Sequence, residues 1–381
     1  MPTLPQRRVL IAVACAALVI GGGAYLLFGR SNVPVASASP SPSPLPSPTP
    51  SPRATRTPRP SPTPSPTPVE VARCPLTGLP LDDPAKADAT AILLQIENHP
   101  EARPASNLSR ADMVYEAPVE GDTTRYSAVF LCQETQGLTG PVRSARYYNV
   151  DLWQDVHLLT LGFGASAGAV ARFAAAGMPY LNGISGTWPW YVRSSQRAAP
   201  HNVYGDMEAA RADIAGDTLA GRVARTVPAL RPPLSFDPEL EIEGYRDVDS
   251  LTIQTNSFWV FGWEWDGDLG AWRRSEAGVR HVDAATGDPV AARTVIVQRV
   301  VERVVLGDPD PGGNPRREQD LVGSGNGTVY VDGQAIDATW SRATADDGTT
   351  WTVAETGDPL VLPPGQVWWE IVPLEASVIE G

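Results

Sequence analysis

The distribution of apolar and polar residues divides the chain into three regions. Residues 9–28 are mostly apolar and uncharged, and residues 34–68 consist almost entirely of Pro, Ser and Thr. Only from residue 74 onward do apolar and polar positions alternate as they do in a folded protein. The pattern therefore predicts a membrane segment, an extended linker and a folded ectodomain, in that order.

The first apolar run has the length and the flanks of a transmembrane helix. About 20 apolar residues are enough to cross the hydrocarbon core of a bilayer. Arg7 and Arg8 precede the run, and only Arg30 follows it closely. The positive-inside rule therefore predicts a cytoplasmic tail (1–8), a single-pass anchor (9–28) and an ectodomain that is extracellular or periplasmic.

A cleaved signal peptide is the alternative to an anchor. The sequence Ala-Val-Ala-Cys at 12–15 resembles a lipoprotein cleavage site. The apolar run continues well beyond this site, and that continuation favours the uncleaved anchor.

Residues 29–73 are predicted to form a disordered, Pro-rich stalk. Proline fixes φ and lacks a backbone donor, so such a segment cannot pack and extends as polyproline II. At about 3.1 Å per residue, the stalk would reach on the order of 100 Å. It would hold the folded part away from the membrane, within or beyond a cell wall.

Residues 74–226 are predicted to form a mixed α/β (or α+β) domain. Strand-like and helix-like segments alternate here, which favours a sheet covered by helices. The strand-like segments are 91–99 and 126–133, and the helix-like segments are 145–160, with Ser144 as its N-cap, and 164–177.

The remainder of the ectodomain has a different pattern. Short β-rich runs separated by Asp-Gly and Thr-Gly-Asp turns predict a mostly β domain at 240–374. The proline-broken segment 227–239 is a connector between the two lobes. The lobes are either two domains or one fold with a β extension.

Charge and cysteine content restrict the partners. The net charge of −13 argues against nucleic acid and against docking on anionic lipid. Outside the membrane run the only cysteines are Cys74 and Cys132, which would form a disulfide in an oxidising compartment if the fold brings them together.

Carboxylates recur on one face of a predicted strand in 111–130. With period-two alternation, Glu116 and Glu120 point to the same side, about 13 Å apart at roughly 3.3 Å per residue. That separation is too large for the close carboxylate pair of a retaining glycosidase, about 5 Å. The two glutamates are candidate catalytic acids, or they pair with Arg125 on a polar sheet face.

Arginines flank the start of the predicted helix at 145–160. Arg143 and Arg146 would lie beside Ser144, where free N–H groups favour an anion that arginine forks can bind bidentately. The alternative is that these arginines pair with Asp151 or Asp155.

The loop "YVRSSQRAAPHNVYGD" (191–206) supplies further polar side chains: Arg193, Arg197, His201 and Asn202. Binding residues often lie on such loops, and His201 is also a candidate base. The four histidines show no metal-ligand spacing, so neither a metal site nor another cofactor is predicted, although an enzyme would be compatible with a divalent metal.

Several long stretches of the ectodomain resemble the YerB family of bacterial lipoproteins, a domain family of unknown function. They include "CPLTGLPL", "IENHPEARPASNLSRADMVYEAPVEGDTTRYSAVF", "GPVRSARYYNVDL", "RAAPHNVY" and "LPPGQVWWEIVP". The resemblance covers about 74–374 and implies N- and C-terminal YerB-like domains at the cell surface, without a known reaction. Members typically carry an acidic residue where this chain has Ser194 and Ser195, and a lipid-modified cysteine where it has a membrane helix.

Together these observations favour a surface-anchored module that binds an anionic envelope ligand, such as peptidoglycan or a wall glycopolymer. The predicted ligand-binding residues are Arg125, Arg143, Ser144, Arg146, Arg193, Arg197, His201 and Asn202. One alternative is an envelope-polymer hydrolase or phosphoglycosyl transferase that uses Glu116 or Glu120. Another is a scaffold that binds proteins through tryptophans such as Trp263, Trp265, Trp368 and Trp369.

Overall fold

The computed structural model describes residues 71–255 and 259–381. The predicted tail (1–8), the anchor (9–28) and all of the stalk except residues 71–73 lie outside the described residues. Within the described ranges, no helix combines the length and the apolar character that a bilayer-spanning helix requires.

The N-terminal half contains both helices and strands, as predicted. Three short 3-10 helices lie at Pro84–Asp88, Pro100–Ala102 and Leu108–Arg110. The other elements are β1 (Ile92–Glu97), β2 (Met113–Pro118), β3 (Thr124–Phe130), β4 (Leu138–Thr139), α1 (Asn149–Val156), β5 (Leu159–Gly162), α2 (Ala167–Ala176), β6 (Tyr180–Asn182), β7 (Tyr191–Arg193), β8 (Val203–Asp206), α3 (Met207–Ala215) and α4 (Leu219–Ala224).

The C-terminal half, as far as the structure describes it, is built from strands, which confirms the mostly β prediction. These strands are β9 (Ser235–Phe236), β10 (Arg246–Asp247), β11 (Ser250–Gln254), β12 (Val260–Asp266), β13 (Ala271–Glu276), β14 (Val279–Arg280), β15 (Ala291–Ala292), β16 (Thr294–Val300), β17 (Glu302–Val305), β18 (Arg316–Gln319), β19 (Gly323–Val331), β20 (Gln334–Arg342), β21 (Thr350–Val353), β22 (Val361–Leu362), β23 (Val367–Pro373) and β24 (Ser377–Glu380).

One sheet runs through both halves of the ectodomain. Its order is β10-β20-β19-β16-β23-β2-β3-β1-β5-β6, and β21 pairs with β20. The halves meet where β2 pairs with β23 in parallel, so that Glu116 lies opposite Glu370. The two lobes therefore share a sheet and a core. A second sheet, β14-β13-β12-β11-β24, belongs to the C-terminal half.

Alternation along the central strands creates a core on each face of the shared sheet. In β2, Met113, Tyr115 and Ala117 pack in one buried cluster, whereas Val114 packs in the other. This is the period-two pattern expected of a strand buried on both sides. Glu116 shares the face of Val114, as the sequence predicted, and the carboxylate therefore needs buried partners.

The helix predicted at 145–160 is shorter than expected, and its predicted N-cap is wrong. Helix α1 begins at Asn149, its N-cap residue is Tyr148, and no side chain caps it. The hydroxyl of Ser144 instead donates to the carbonyl of Phe163, 3.1 Å away. Residues 145–148 are held outside the helix by contacts with distant segments, for example the hydrogen bond from the N–H of Ala145 to the carbonyl of Gly164. The spacing of hydrophobic residues does not reveal such contacts.

The two cysteines of the ectodomain are bonded. The Cys74–Cys132 disulfide ties the beginning of the described chain to the residues after β3. A turn also follows its sequence signal: Asp332 and Gly333, both with positive φ, form the two-residue turn between β19 and β20.

Candidate functional site

Residues 140–145 cross the carboxyl ends of three parallel strands. β1 pairs in parallel with β5, and β5 pairs in parallel with β6. The N–H of Arg143 donates to the carbonyl of Gln95, and the N–H of Phe163 donates to the carbonyl of Arg143, both at 2.9 Å. Ligands of open α/β sheets commonly bind at this end of the strands. The segment thus places Arg143 at a favourable position.

Five side chains converge there, and we call them the open cluster: Glu97, His99, Glu101, Arg143 and His201. Glu97, only 3% exposed, accepts hydrogen bonds from Nε of Arg143 (2.8 Å) and from Nδ1 of His201 (3.0 Å). The other ring nitrogen of His201, Nε2, lies 3.1 Å from a carboxylate oxygen of Glu101. The ring of His99 stacks on that of His201, with centroids 4.9 Å apart.

The hairpin formed by β7 and β8 adds cationic and polar groups beside the open cluster. Arg193, an exposed residue, donates to the side chain of Asn202 at 2.7 Å. Its guanidinium also lies 5.2 Å from the ring centroid of Phe163, the residue whose N–H binds Arg143. Arg193, Asn202 and His201 therefore meet near Arg143, as the sequence predicted for a shared site.

Arg197 is directed elsewhere. It donates to the carbonyls of Ala102 and Pro104, the latter at 2.9 Å. Arg197 therefore stabilises the loop after Glu101 by donating hydrogen bonds to backbone carbonyls, and it does not point into the open cluster.

A second group of arginines surrounds Glu120, and we call Glu120, Arg125, Arg146 and Arg316 the arginine cluster. Arg146 binds both carboxylate oxygens of Glu120, and Nη1 of Arg316 lies 3.1 Å from one of them. Burial alone would raise the pKa of Glu120, but the charges of Arg146 and Arg125 outweigh burial and lower the pKa to about 2.

Arg125 links the arginine cluster, to which it belongs, to the open cluster: it lies opposite Glu97 in the pairing of β1 with β3. It is buried and donates to the carbonyl of Ser144 at 2.8 Å, while its Nε has no hydrogen-bond partner among the described residues. Burial and the neighbouring charge of Arg146 lower the pKa of Arg125 to about 9. The predicted ion pair of Arg125 with Glu116 or Glu120 is wrong, because other arginines bind both carboxylates.

The alternative pairing of Arg143 or Arg146 with Asp151 or Asp155 is also wrong. Asp151 accepts from Arg172 at 3.0 Å. Asp155 accepts from the backbone and the hydroxyl of Thr349, so both aspartates serve other parts of the fold.

A third, buried group joins the two halves, and we call it the closed cluster: Glu116, Arg274, Glu276 and Glu370. Nη2 of Arg274 donates to both oxygens of Glu116, at 2.8 and 2.9 Å. Glu116 is 1% exposed and also accepts from Asn98, Thr124 and Trp368. Burial and the charge of Glu116 raise the pKa of Glu370 well above its usual value, which favours the neutral acid.

The sequence marked His99 only as a loop histidine comparable to His201, and neither Glu101 nor the C-terminal members of the closed cluster were predicted from it. His99 and His201 are too far apart in the chain for any local spacing to connect them, and the same holds for Glu116 and Arg274. A local signal existed for Glu101, since "IENHPEARP" places a histidine two residues before it on a short 3-10 turn.

Comparison with known proteins identifies the family. The family model for the N-terminal domain of a protein of unknown function, DUF3048, matches residues 76–220, and the C-terminal model matches residues 250–369. The chain belongs to the DUF3048 family. A Bacillus subtilis (strain 168) protein named "Putative lipoprotein YerB" is 30% identical over 310 residues, 81% of this chain and 88% of that protein. The predicted YerB resemblance is thereby confirmed.

A solved structure agrees with this assignment. The crystal structure of the YerB protein from Bacillus subtilis superimposes with a TM-score of 0.67 at 28% identity. The match covers 81% of this chain and 99% of the solved chain. All residues of the open cluster lie within the segment that matches the N-terminal family model. The closed cluster instead takes Arg274 and Glu276 from the segment that matches the C-terminal model.

Proposed function

We propose that this DUF3048 protein is a membrane-attached envelope module that binds an anionic ligand, peptidoglycan or a wall glycopolymer, at the open cluster. The observation that carries the proposal is the convergence of Arg143, Arg193 and His201 at the carboxyl ends of β1, β5 and β6. Arginine forks of this kind suit carboxylate and phosphate groups.

The local charge supports an anionic ligand. Taken together, the open cluster, the arginine cluster, Arg193 and Asp308 contain five arginines and four carboxylates: Arg125, Arg143, Arg146, Arg193 and Arg316, and Glu97, Glu101, Glu120 and Asp308. That is a positive excess of one in a chain whose net charge is −13. An anion would therefore be attracted to this surface rather than to the rest of the molecule.

Accessibility determines which arginines would contact the ligand. The side chain of Arg143 is 29% exposed and Arg193 is exposed. Arg125 and Arg146 are buried and would act from beneath by adding positive charge. Ser144, half-buried between them, would position the backbone carbonyl that both Arg125 and Arg146 bind.

Attachment to the envelope is supported by two independent features. The relative from Bacillus subtilis is named a lipoprotein, and the apolar run at 9–28 predicts an anchor. The Pro-rich stalk would then place the open cluster at the depth of wall polymers.

The alternative enzyme with Glu116 or Glu120 as acid has less geometric support. A general acid that works near neutral pH needs a raised pKa, whereas the pKa of Glu120 is lowered to about 2. The carboxylate of Glu116 is enclosed by donors and hidden from solvent. The scaffold alternative loses support too, because Trp263, Trp368 and Trp369 fill the core.

The test is cosedimentation of the full-length protein, in mild detergent, with purified cell walls. We expect binding to intact walls, weaker binding to walls stripped of anionic polymer, and a decrease with salt. Combining Arg143→Gln with Arg193→Gln should weaken binding by at least about 10-fold, since two charge-assisted contacts are lost.

The matched control combines Arg225→Gln with Arg246→Gln, two exposed arginines of surface ion pairs. It changes the net charge equally and should leave wall binding unchanged. Equal weakening in the two double variants would contradict the proposed site. A change in the mass of the recovered glycan would instead favour the enzyme.

A further inference from the structure

The open cluster also contains a set of potential metal ligands, one of which, His201, is shared with the proposed anion site. His99, Glu101 and His201 each offer one ligand atom, and these three atoms lie within 4.8 Å of one another. We propose that they form a binding site for a divalent transition-metal ion of the Zn²⁺ type. The inference stands on these residues alone and does not rest on the proposed anion site.

The ligand types suit zinc. Two imidazoles and one carboxylate are the protein ligands of a common Zn²⁺ site, in which the fourth position remains open to water or substrate. Zinc–nitrogen distances of about 2.0–2.1 Å require the three groups to move closer together. Glu101 can supply that movement because its side chain is 73% exposed.

Glu97 prepares His201 as a ligand. A carboxylate can only accept a hydrogen bond, so the 3.0 Å contact with Glu97 places the proton on Nδ1 of His201. The lone pair of the neutral ring is then on Nε2, the atom directed at Glu101. Metal-binding histidines usually donate their other N–H to a carboxylate, a backbone carbonyl or water, and Glu97 is a partner of this kind. Arg143 in turn holds Glu97 in place.

The 3.1 Å contact between Nε2 of His201 and the Glu101 carboxylate brings two of the potential ligand atoms together. Without a metal ion a proton between these two atoms makes the contact a hydrogen bond, and a bound metal ion would take the place of that proton. The ring of His99 is adjacent and half-buried, but it stacks on that of His201 at 17°, and its Nδ1 accepts a hydrogen bond from the N–H of Glu101 at 3.2 Å. A metal ion lies in the plane of each imidazole that binds it, so His99 must turn out of the stack to join His201 and Glu101 on one Zn²⁺.

The other potential ligand group in the described residues is unsuitable. It comprises Cys74, Asp112 and Cys132, and its two sulfurs are joined in the disulfide. Disulfide sulfur is not the thiolate that binds zinc. The histidine group is therefore the stronger site, and the exposure of Glu101 provides an entry path for the ion.

The experiment is a Zn²⁺ titration of the full-length protein after chelator treatment, by calorimetry or by competition with a chromophoric chelator. Any affinity tag is removed, because polyhistidine would bind zinc. We expect one Zn²⁺ per chain. Co²⁺ should give the visible d–d bands of a four-coordinate site, a readout that needs no ligand and no activity.

Matched variants locate the site. His201→Gln should weaken zinc binding on the order of 100-fold, and Glu101→Gln at least about 10-fold, as expected for lost ligands. His157→Gln removes a histidine bound to a backbone carbonyl elsewhere, and Glu134→Gln removes a carboxylate that is 75% exposed. Both controls should bind zinc like the unchanged protein. Near-UV circular dichroism verifies that each variant is folded.

Three results would overturn the site: no zinc binding by the tag-free protein, unchanged binding in folded His201→Gln, or equal weakening by Glu134→Gln and Glu101→Gln. The outcome is separable from the proposed function. Zinc binding without wall binding would refute the anion site alone, and wall binding by a protein that binds no zinc would refute the metal site alone.

Discussion

The closed and open clusters use the same chemistry in opposite surroundings. In each, a glutamate that is almost fully buried is bound by an arginine: Glu116 by Arg274, and Glu97 by Arg143. The side chain of Arg274 is 0% exposed, whereas that of Arg143 is 29% exposed. Residue type alone would have assigned both clusters the same role.

The two clusters differ in role because only the closed cluster is shielded from solvent on all sides. The guanidinium of Arg274 lies between 5.2 and 6.0 Å from the ring centroids of four aromatic residues, Tyr126, Phe261, Trp263 and Trp368. No external group can replace Glu116 there without dismantling the contact between the two domains. In the open cluster, a ligand can exchange with water at Arg143 and Glu101. The closed cluster therefore serves cohesion, and the open cluster can serve binding.

The largest expected effect is in the closed cluster. Arg274→Met should lower the free energy of unfolding by about 3–5 kcal/mol, because buried Glu116 loses its counter-ion. Urea unfolding followed by tryptophan fluorescence measures the change. Adding Glu116→Gln should recover part of the loss. The control Arg246→Met, at an exposed ion pair, should cost less than about 1 kcal/mol. Equal losses in Arg274→Met and Arg246→Met would remove the distinction between the clusters.

Glu120 should give the next largest effect, and it should depend on pH. The folded-state pKa of about 2 is below the ordinary 4.5, so ionised Glu120 stabilises the fold above pH 4.5 by about 3 kcal/mol. This contribution is lost as the pH falls through 4.5 toward 2. The difference in unfolding free energy between the unchanged protein and Glu120→Gln should therefore shrink by more than half by about pH 3. A difference independent of pH would show that the ion pair with Arg146 contributes nothing.

Arg143 should matter less for stability than for binding. Arg143→Met should lower the free energy of unfolding by about 1 kcal/mol or less, because its ion pair is partly solvated and Glu97 keeps His201 as a partner. The same urea titration provides the number, and Arg274→Met serves as the reference. A loss comparable to that of Arg274→Met would mean that the open cluster is structural as well.

The smallest effect is expected at Glu370, although it is fully buried. Its raised pKa favours the neutral acid, so below the ordinary value of 4.5 Glu370→Gln replaces one neutral group by another and keeps an acceptor for Trp263. We expect a change below about 1 kcal/mol at pH 4. As the pH rises above 4.5 toward the folded-state pKa, only the unchanged protein should lose stability, because its unfolded chain releases a proton that folded Glu370 retains. A large loss in Glu370→Gln at pH 4, or a difference between the two proteins that does not change with pH, would indicate an ionised carboxylate instead.

Local sequence signals predicted helices and strands more accurately than they predicted which side chains contact one another. The alternation in 111–130 correctly placed Glu116 on the face opposite Tyr115, and helix α2, capped by Ser166 and Gly177, lies within the predicted helical segment 164–177. The start of α1 was wrong because Ser144 finds its partner in Phe163, in another segment. Capping rules consider only hydrogen bonds between a side chain and backbone groups a few residues away. They do not consider a partner in a distant segment, such as the carbonyl of Phe163.

The sequence pointed to part of the candidate site but not to its arrangement. Arg143, Arg193, His201 and Asn202 do meet at one end of the sheet, whereas Arg197 binds nearby backbone and Arg146 is buried. Exposure separates these arginines, and exposure depends on which distant segments cover each one. No spacing within the loop carries that information.

The sequence by itself determined where several strands and helices lie, the change from α/β to mostly β, and the family, because these depend on local periodicity and on long matching stretches. Only the tertiary structure decided that β2 pairs with β23, that Arg274 neutralises Glu116, and that His99 stacks on His201. The physical reason is that burial and Coulomb attraction act through space, between side chains that chain connectivity leaves far apart.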